Sequence, residues 1–166
     1  QGYEFVNRVS KSRFSENSAL RAAEIYLSNE NYHKALENFS NLELIADHST
    51  NIITAIYGQM ECHYKLNEYP EAIESSRKLR SLDRISNEQL IKSYYIAGKS
   101  ELEMENLTKA KQELESTVEL SQGAFGAEAK YLLATIAFKQ GELKKVEDVV
   151  VELAGQYPSY EYWKAK

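Results

Sequence analysis

Four short segments of this 166-residue chain share one pattern: Asn31-Tyr32-His33-Lys34-Ala35, Glu68-Tyr69-Pro70-Glu71-Ala72, Asn106-Leu107-Thr108-Lys109-Ala110 and Glu142-Leu143-Lys144-Lys145-Val146. Each has a polar turn residue, then Tyr or Leu, then two mostly polar positions, then a small or β-branched apolar residue. The last positions fall at 35, 72, 110 and 146, in steps of 37, 38 and 36 residues. Such a period marks a repeat array, in which a unit too small to bury its own apolar face stacks on its neighbours. Function is bounded at the same time, because stacked helical repeats generally offer surfaces to partners and carry no chemistry of their own.

The segments between the turns read as amphipathic helices. Leu20, Ala23, Ile25, Tyr26 and Leu27 form a broad apolar face over residues 17–28, ending at Asn29-Glu30-Asn31, where Asn tolerates the left-handed conformation that closes a helix. Tyr32, Ala35, Leu36, Phe39 and Leu42 mark a second helix ending before Asp47-His48-Ser49. Two helices joined by a few residues fold back as an antiparallel hairpin. The hairpin then recurs: Ile53, Ile56, Tyr57, Met60 and Tyr64 before Tyr69 to Leu82, with Pro70 tolerated in a first turn; Leu90 to Met104 before Leu107 to Leu120; and Glu128 to Gln140 before Leu143 to Ala154, with Gly141 at the stop. The predicted class is all-α, a right-handed α-solenoid of about four hairpins with partial flanking helices. The repeat boundaries are 15–48, 49–85, 86–123 and 124–158. Residues 1–14, with Tyr3, Phe5, Val6 and Val9 on one side, read as the tail of a preceding helix, and 159–166, with Tyr160, Tyr162 and Trp163, as the start of another. The chain therefore reads as a fragment of a longer array, the competing reading being that these segments are natural caps.

Composition narrows the class of partner. With 43% apolar and 27% charged residues the chain can bury a substantial core, and a formal charge of −5 without long single-sign blocks disfavours nucleic-acid binding. No run approaches the roughly 20 apolar residues that span a bilayer, and no apolar leader opens the chain. Seven glycines and two prolines are few for a sheet protein with many tight turns. Cys62 is the single cysteine, so neither an internal disulfide nor a multi-thiolate metal site can form. His63 adjoins it, but neighbouring side chains on a helix diverge by about 100° and cannot share one ion. Glu101 and Glu105 share a helix face as acid/base carboxylates might, a pattern that solvated helix surfaces produce constantly. No phosphate loop, serine elbow or zinc-binding helix signature occurs. No catalytic residue, metal site or cofactor is expected.

The hairpins resemble tetratricopeptide repeats, nominally 34 residues long, over essentially the whole chain. The resemblance lies in small residues on the first helices (Ala22 with Ala23, Ala97 with Gly98, Ala134), an aromatic near that helix's end, and Ala35, Ala72 and Ala110 on the second, followed a turn later by Phe39, Leu114 and Val150. Met60, Val146 and Ser76 depart from it. Only Pro158 matches the family's terminal proline, which predicts links between hairpins two to four residues longer than usual. Residues 126–142 and Tyr162-Trp163-Lys164-Ala165 look like large exported tetratricopeptide proteins of Gram-negative envelopes, which implies a periplasmic or cell-envelope location; a cytoplasmic one fits the composition equally.

In this family the first helix of each pair lines the inner wall, so the resemblance implies columns. One is Leu20, Tyr57, Tyr95 and Tyr131; a second is Leu27, Tyr64, Leu102 and Phe138. Glu24, Glu61, Lys99 and Thr135 lie between them, and Ser28, Lys65, Glu103 and Lys139 beyond. Tyrosines give large contact areas at little entropy cost. The candidate groove is therefore Tyr57, Tyr95, Tyr131, Tyr64, Leu102, Phe138, Glu61, Lys99 and Lys65, against the competing reading that these aromatics only pack repeats together. Family members that hold a peptide's C-terminal carboxylate use Lys and Asn here, and the residues present do not match. The expected function is a non-enzymatic scaffold for a peptide or partner helix. The alternative is a structural spacer or oligomerisation segment of an envelope assembly, a homodimer through exposed terminal helices being one form.

Overall fold

A computed structural model describes the backbone of residues 2–156 and the side chains of residues 15–153. These residues form α1 (Gly2–Ser28), α2 (Tyr32–Ile45), α3 (Ser49–Lys65), α4 (Tyr69–Arg80), α5 (Asn87–Glu103), α6 (Leu107–Leu120), α7 (Ala124–Lys139) and α8 (Leu143–Gln156). The all-α class is as predicted, and every second helix begins at the Tyr or Leu of the repeated turn. The chain divides into two compact units, residues 1–86 and 87–166. In the first, α1 to α4 pack each on the next and α1 also touches α3; in the second, α5 to α8 do the same and α5 touches α7. Each unit is thus two stacked hairpins.

The four turns within the hairpins are one backbone motif. Glu30, Asn67, Glu105 and Gly141 hold positive φ of 57°, 62°, 59° and 77°. The following N–H of each turn reaches back to a carbonyl near the end of the first helix: Asn31 to Tyr26 and Asn106 to Glu101 at 2.8 Å, Glu68 to His63 and Glu142 to Ala137 at 2.9 Å. This is the Schellman closure, which satisfies carbonyls that a helix end leaves without partners. The first turn assigns its left-handed position to Glu30 and not to either asparagine. The reason is local: a three-residue link must both stop one helix and start the next, and Asn31 serves the start, its Oδ1 accepting the Lys34 N–H at 3.3 Å. Glutamate is strained there. Glu30→Gly and Glu105→Gly should each raise unfolding free energy by about 0.5–1 kcal/mol, seen as higher urea midpoints, while Gly141→Ala lowers it.

Two expectations are corrected. Residues 3–9 do not belong to a separate preceding helix, because α1 runs unbroken from Gly2 to Ser28. Nor are the links generally longer: residues 46–48 and 121–123 are as short as the turns within hairpins, and only residues 81–86 form a longer connection. The repeat exceeds the family length because its first helices are long, 17 residues in α3 and α5 and 16 in α7. The predicted helix start at residue 159 lies outside the described residues.

The core repeats with the turns. Ala23, Ala35, Phe39 and Cys62 form a buried cluster bordered by Tyr26, Leu27, Tyr32 and Leu36. Ala110, Leu114, Ala129 and Ile136 form its counterpart, bordered by Leu102, Leu107, Val118, Leu132 and Leu133. Small residues let the helices approach: a Cβ on Gly98 would stand 2.8 Å from Leu114 Cγ. On α3 close approach is made at Gly58, where a Cβ would meet the Phe39 ring at 2.4 Å. Polar groups also tie α2, α3 and α4, since Gln59 donates to Glu43 Oε2 at 2.8 Å and Lys78 pairs with Glu43. Burial raises the Glu43 carboxyl pKa, but the hydrogen bonds from Lys78 and Gln59 outweigh it and leave it below its ordinary value.

Candidate functional site

The sequence columns fall on the two units and separate by environment. In the first unit, α3 carries Tyr57, Glu61, Tyr64 and Lys65; Lys65 is exposed and the other three are half-buried. Tyr64 is committed to its own hairpin, its ring 6.1 Å from that of Tyr69, whose hydroxyl donates to Asn67 Oδ1 at 3.0 Å. Tyr57 and Glu61 stand one turn apart on α3.

The second unit has the more organised surface. Tyr95 of α5 is 6% exposed, and its ring lies 5.1 Å from that of Phe125 on α7, tilted by 54°. One turn on, Lys99 Nζ sits 5.1 Å above the Tyr95 ring, donates to the Tyr95 hydroxyl at 3.2 Å and pairs with Glu128 Oε1 at 3.7 Å. Two residues on α5 at i,i+4 thus meet two on α7 at i,i+3, an aromatic pair beside an ion pair. Tyr131 and Thr135 follow on α7, both half-buried, the Thr135 hydroxyl donating to the Tyr131 carbonyl at 3.1 Å. Tyr95 is therefore buried, whereas Tyr131 one turn beyond Glu128 is half-buried. Phe125 and Glu128 were missed in the sequence because neither lies in a predicted column; their own i,i+3 spacing at the start of α7 was the available signal.

The second column is largely packing. Leu27 and Leu102 border the two core clusters. Phe138 alone stands out, 63% exposed.

The remaining sequence candidates are placed plainly. Cys62 is fully buried, and burial pushes its thiol up to about 12, with the Glu61 charge adding to the effect, so it stays protonated and inert at neutral pH. His63 Nδ1 lies 2.7 Å from Glu68 Oε2, tying α3 to the next turn. Glu101 and Glu105 do not share a helix face: Glu101 is buried and accepts from Asn106 Nδ2 at 2.9 Å, while Glu105 lies beyond the end of α5 with positive φ. Among the described residues, no three His, Cys, Asp or Glu side chains group as metal ligands, and no helix is long and apolar enough to cross a membrane.

No protein-family model matches the chain, and no curated relative is similar to it. Solved structures are. A crystal structure of MamA protein superposes with a TM-score of 0.72 at 18% identity, covering 88% of this chain and 75% of that one. YrrB, described as a TPR protein with an unusual peptide-binding site, gives 0.69 at 17% identity over 94% and 76%. TPR-like repeats of a putative kinesin light chain of Podospora anserina give 0.67 at 14% identity over 90% and 77%. At these identities the likeness shows the fold, a tetratricopeptide-like array of helix hairpins.

Proposed function

We propose that the chain is a non-enzymatic protein-interaction scaffold in which the first helices of the second unit, α5 and α7, receive an extended peptide or partner helix. The observation that carries this reading is the α5–α7 surface. There the Lys99–Glu128 pair and the tilted Tyr95–Phe125 ring pair fix a polar and an aromatic group one turn before the half-buried Tyr131. A held aromatic beside a held charge is what a peptide hot spot needs, because little side-chain entropy remains to be lost on binding. YrrB, similar in fold, is described as binding peptide, which supports the same reading. Mixed charge on these helices favours a partner that is itself mixed, neither strongly acidic nor basic.

Peptides selected from a displayed random library against the chain test it. Tyr131→Ala should weaken the peptides that bind the second unit by about 2 kcal/mol, roughly 30-fold, at unchanged helicity. Tyr95→Phe, which keeps the buried ring, should cost less. Unchanged affinity in Tyr131→Ala would remove the groove assignment. A cell-envelope location belongs to the same proposal, on the resemblance of residues 126–142 to exported proteins; recovery of the native protein in the cytoplasmic fraction overturns it.

A further inference from the structure

The second helices of the two units are held differently. In the second unit α5 touches α7, and no comparable contact joins α6 to α8 among the described residues. A cavity of about 230 Å³ lies between α6 and α8, floored by Leu133, Ile136 and Ala137 of α7 with Val149 of α8. The first unit ties the corresponding helices with polar side chains. Lys78 of α4 pairs with Glu43 of α2, and Gln59 of α3 donates to the same carboxylate. One turn on, His63 meets Glu68. Counted from the repeated turns, the counterparts of Glu43, Gln59, His63 and Lys78 are Val118, Leu133, Ala137 and Glu152. Val118 offers no charge, and Glu152 pairs with Lys130 of α7 at 2.6 Å instead. The tie in the first unit is made by side chains of α2, α3 and α4 alone, so the difference lies in these residues and not in what precedes or follows the helices.

The rim of the cavity is charged and balanced. Lys111 and Glu115 pair on α6 at 3.7 Å, and Lys145 and Glu142 pair beside the start of α8 at 2.6 Å. The hydrogen bond from Lys145, with the Lys145 and Lys111 charges adding to it, holds the Glu142 carboxyl below its ordinary value. Two cations and two anions leave no net charge for a phosphate or a single-signed peptide to meet, which selects an uncharged occupant. A dry apolar cavity of about 150 Å³ is enough for benzene, so this one admits a two-ring group. An indole suits both parts, its rings covering the aliphatic floor, its N–H within the reach of rim carboxylates, and its face favoured by lysine ammonium groups. We propose that this groove is a second peptide site, anchoring a tryptophan side chain from a partner segment of no net charge. By helical spacing Leu133 and Ala137 lie on the side of α7 away from Glu128 and Tyr131, so the site stands whether or not the α5–α7 surface binds a peptide.

Methyl NMR on the full chain tests it, with N-acetyltryptophanamide and a blocked, neutral pentapeptide of one tryptophan among alanines as probes. Both should shift the methyls of Leu133, Ile136, Ala137 and Val149, the pentapeptide at lower concentration. Ala137→His and, as a second variant, Leu133→Gln should each weaken both probes about tenfold or more. The first unit carries those residue types at the corresponding positions, His63 and Gln59, so the folds should persist, as circular dichroism checks. No methyl shift up to the solubility limit of the probes overturns the inference. So do shifts that both variants leave unchanged, or shifts confined to the Tyr131 side of α7. Binding of the lone amide without the pentapeptide would mark a small-molecule pocket, and equal affinity for a pentapeptide with leucine in place of tryptophan would mark a general apolar groove; either result overturns the tryptophan site.

Discussion

Gly126→Ala should destabilise the second unit by about 3 kcal/mol, the upper part of the range for forcing atoms into a filled site. A Cβ at Gly126 would stand 1.9 Å from the Ser121 carbonyl oxygen and 2.8 Å from its carbonyl carbon. Those are backbone atoms at the end of α6, held by the Ser121 N–H bond to the Thr117 carbonyl. No rotamer change relieves the clash; the first turn of α7 must move. Because α7 supplies Ala129 and Ile136 to the core of the unit, that movement reaches buried packing. Hydrogen exchange gives the sharpest readout: amides of α6 and α7 should lose protection while those of α2 and α3 in the other unit serve as the reference. Gly155→Ala, where nothing lies within 4 Å of the added Cβ, is the internal contrast and should stabilise α8 slightly through helix propensity. Equal protection in Gly126→Ala and the parent would mean that the α6–α7 corner is looser than its geometry.

The parts of the fold legible in the sequence are those set by local chemistry. The turn pattern located the starts of α2, α4, α6 and α8 at Tyr32, Tyr69, Leu107 and Leu143, because a Schellman stop followed by an apolar residue is a short-range signal. The starts of α5 and α7 at Asn87 and Ala124 precede the predicted ones, since the first turn of α5 is polar and that of α7 sets a lone Phe125 among alanines and a glycine, so neither shows an apolar period. Residues 10–16 of α1 read as a break for the same reason. They contain neither glycine nor proline, and nothing in them stops a helix that is already propagating.

The candidate surface was legible as a list of positions but not as environments. A column treats Tyr57, Tyr95 and Tyr131 as equivalent, yet Tyr95 is buried because Phe125 enters from the start of α7. Which ring is covered depends on what the neighbouring helix brings at a different register, information no single helix carries. Gly58 was overlooked on similar grounds: the register pointed to Met60, while the contact with Phe39 is made two residues earlier.

Met60 and Ser76 should prove energetically coupled by about 2 kcal/mol. Four pairs share one spacing along the chain: Ala23 with Phe39, Met60 with Ser76, Gly98 with Leu114, and Ala134 with Val150. In the first and third, the small residue belongs to the first helix and the large one packs on it. In the second the sizes are exchanged, and both residues are fully buried. If the shared spacing places them as it places Gly98 and Leu114, methionine and serine together fill the volume that glycine and leucine fill there, and the pair is reversed. Ser76 gives no independent polar anchor, since its hydroxyl donates to the Ala72 carbonyl of its own helix at 2.8 Å. Met60→Ala alone should cost about 3 kcal/mol through the cavity it leaves. Ser76→Leu alone should cost about 2 kcal/mol through overpacking. The double variant should recover about 2 kcal/mol of the summed loss in urea denaturation followed by circular dichroism. Strict additivity of the two single costs would show that the side chains do not face each other, and the reversed pair would then have to be abandoned as the reason this hairpin tolerates a methionine where its neighbours carry alanine or glycine.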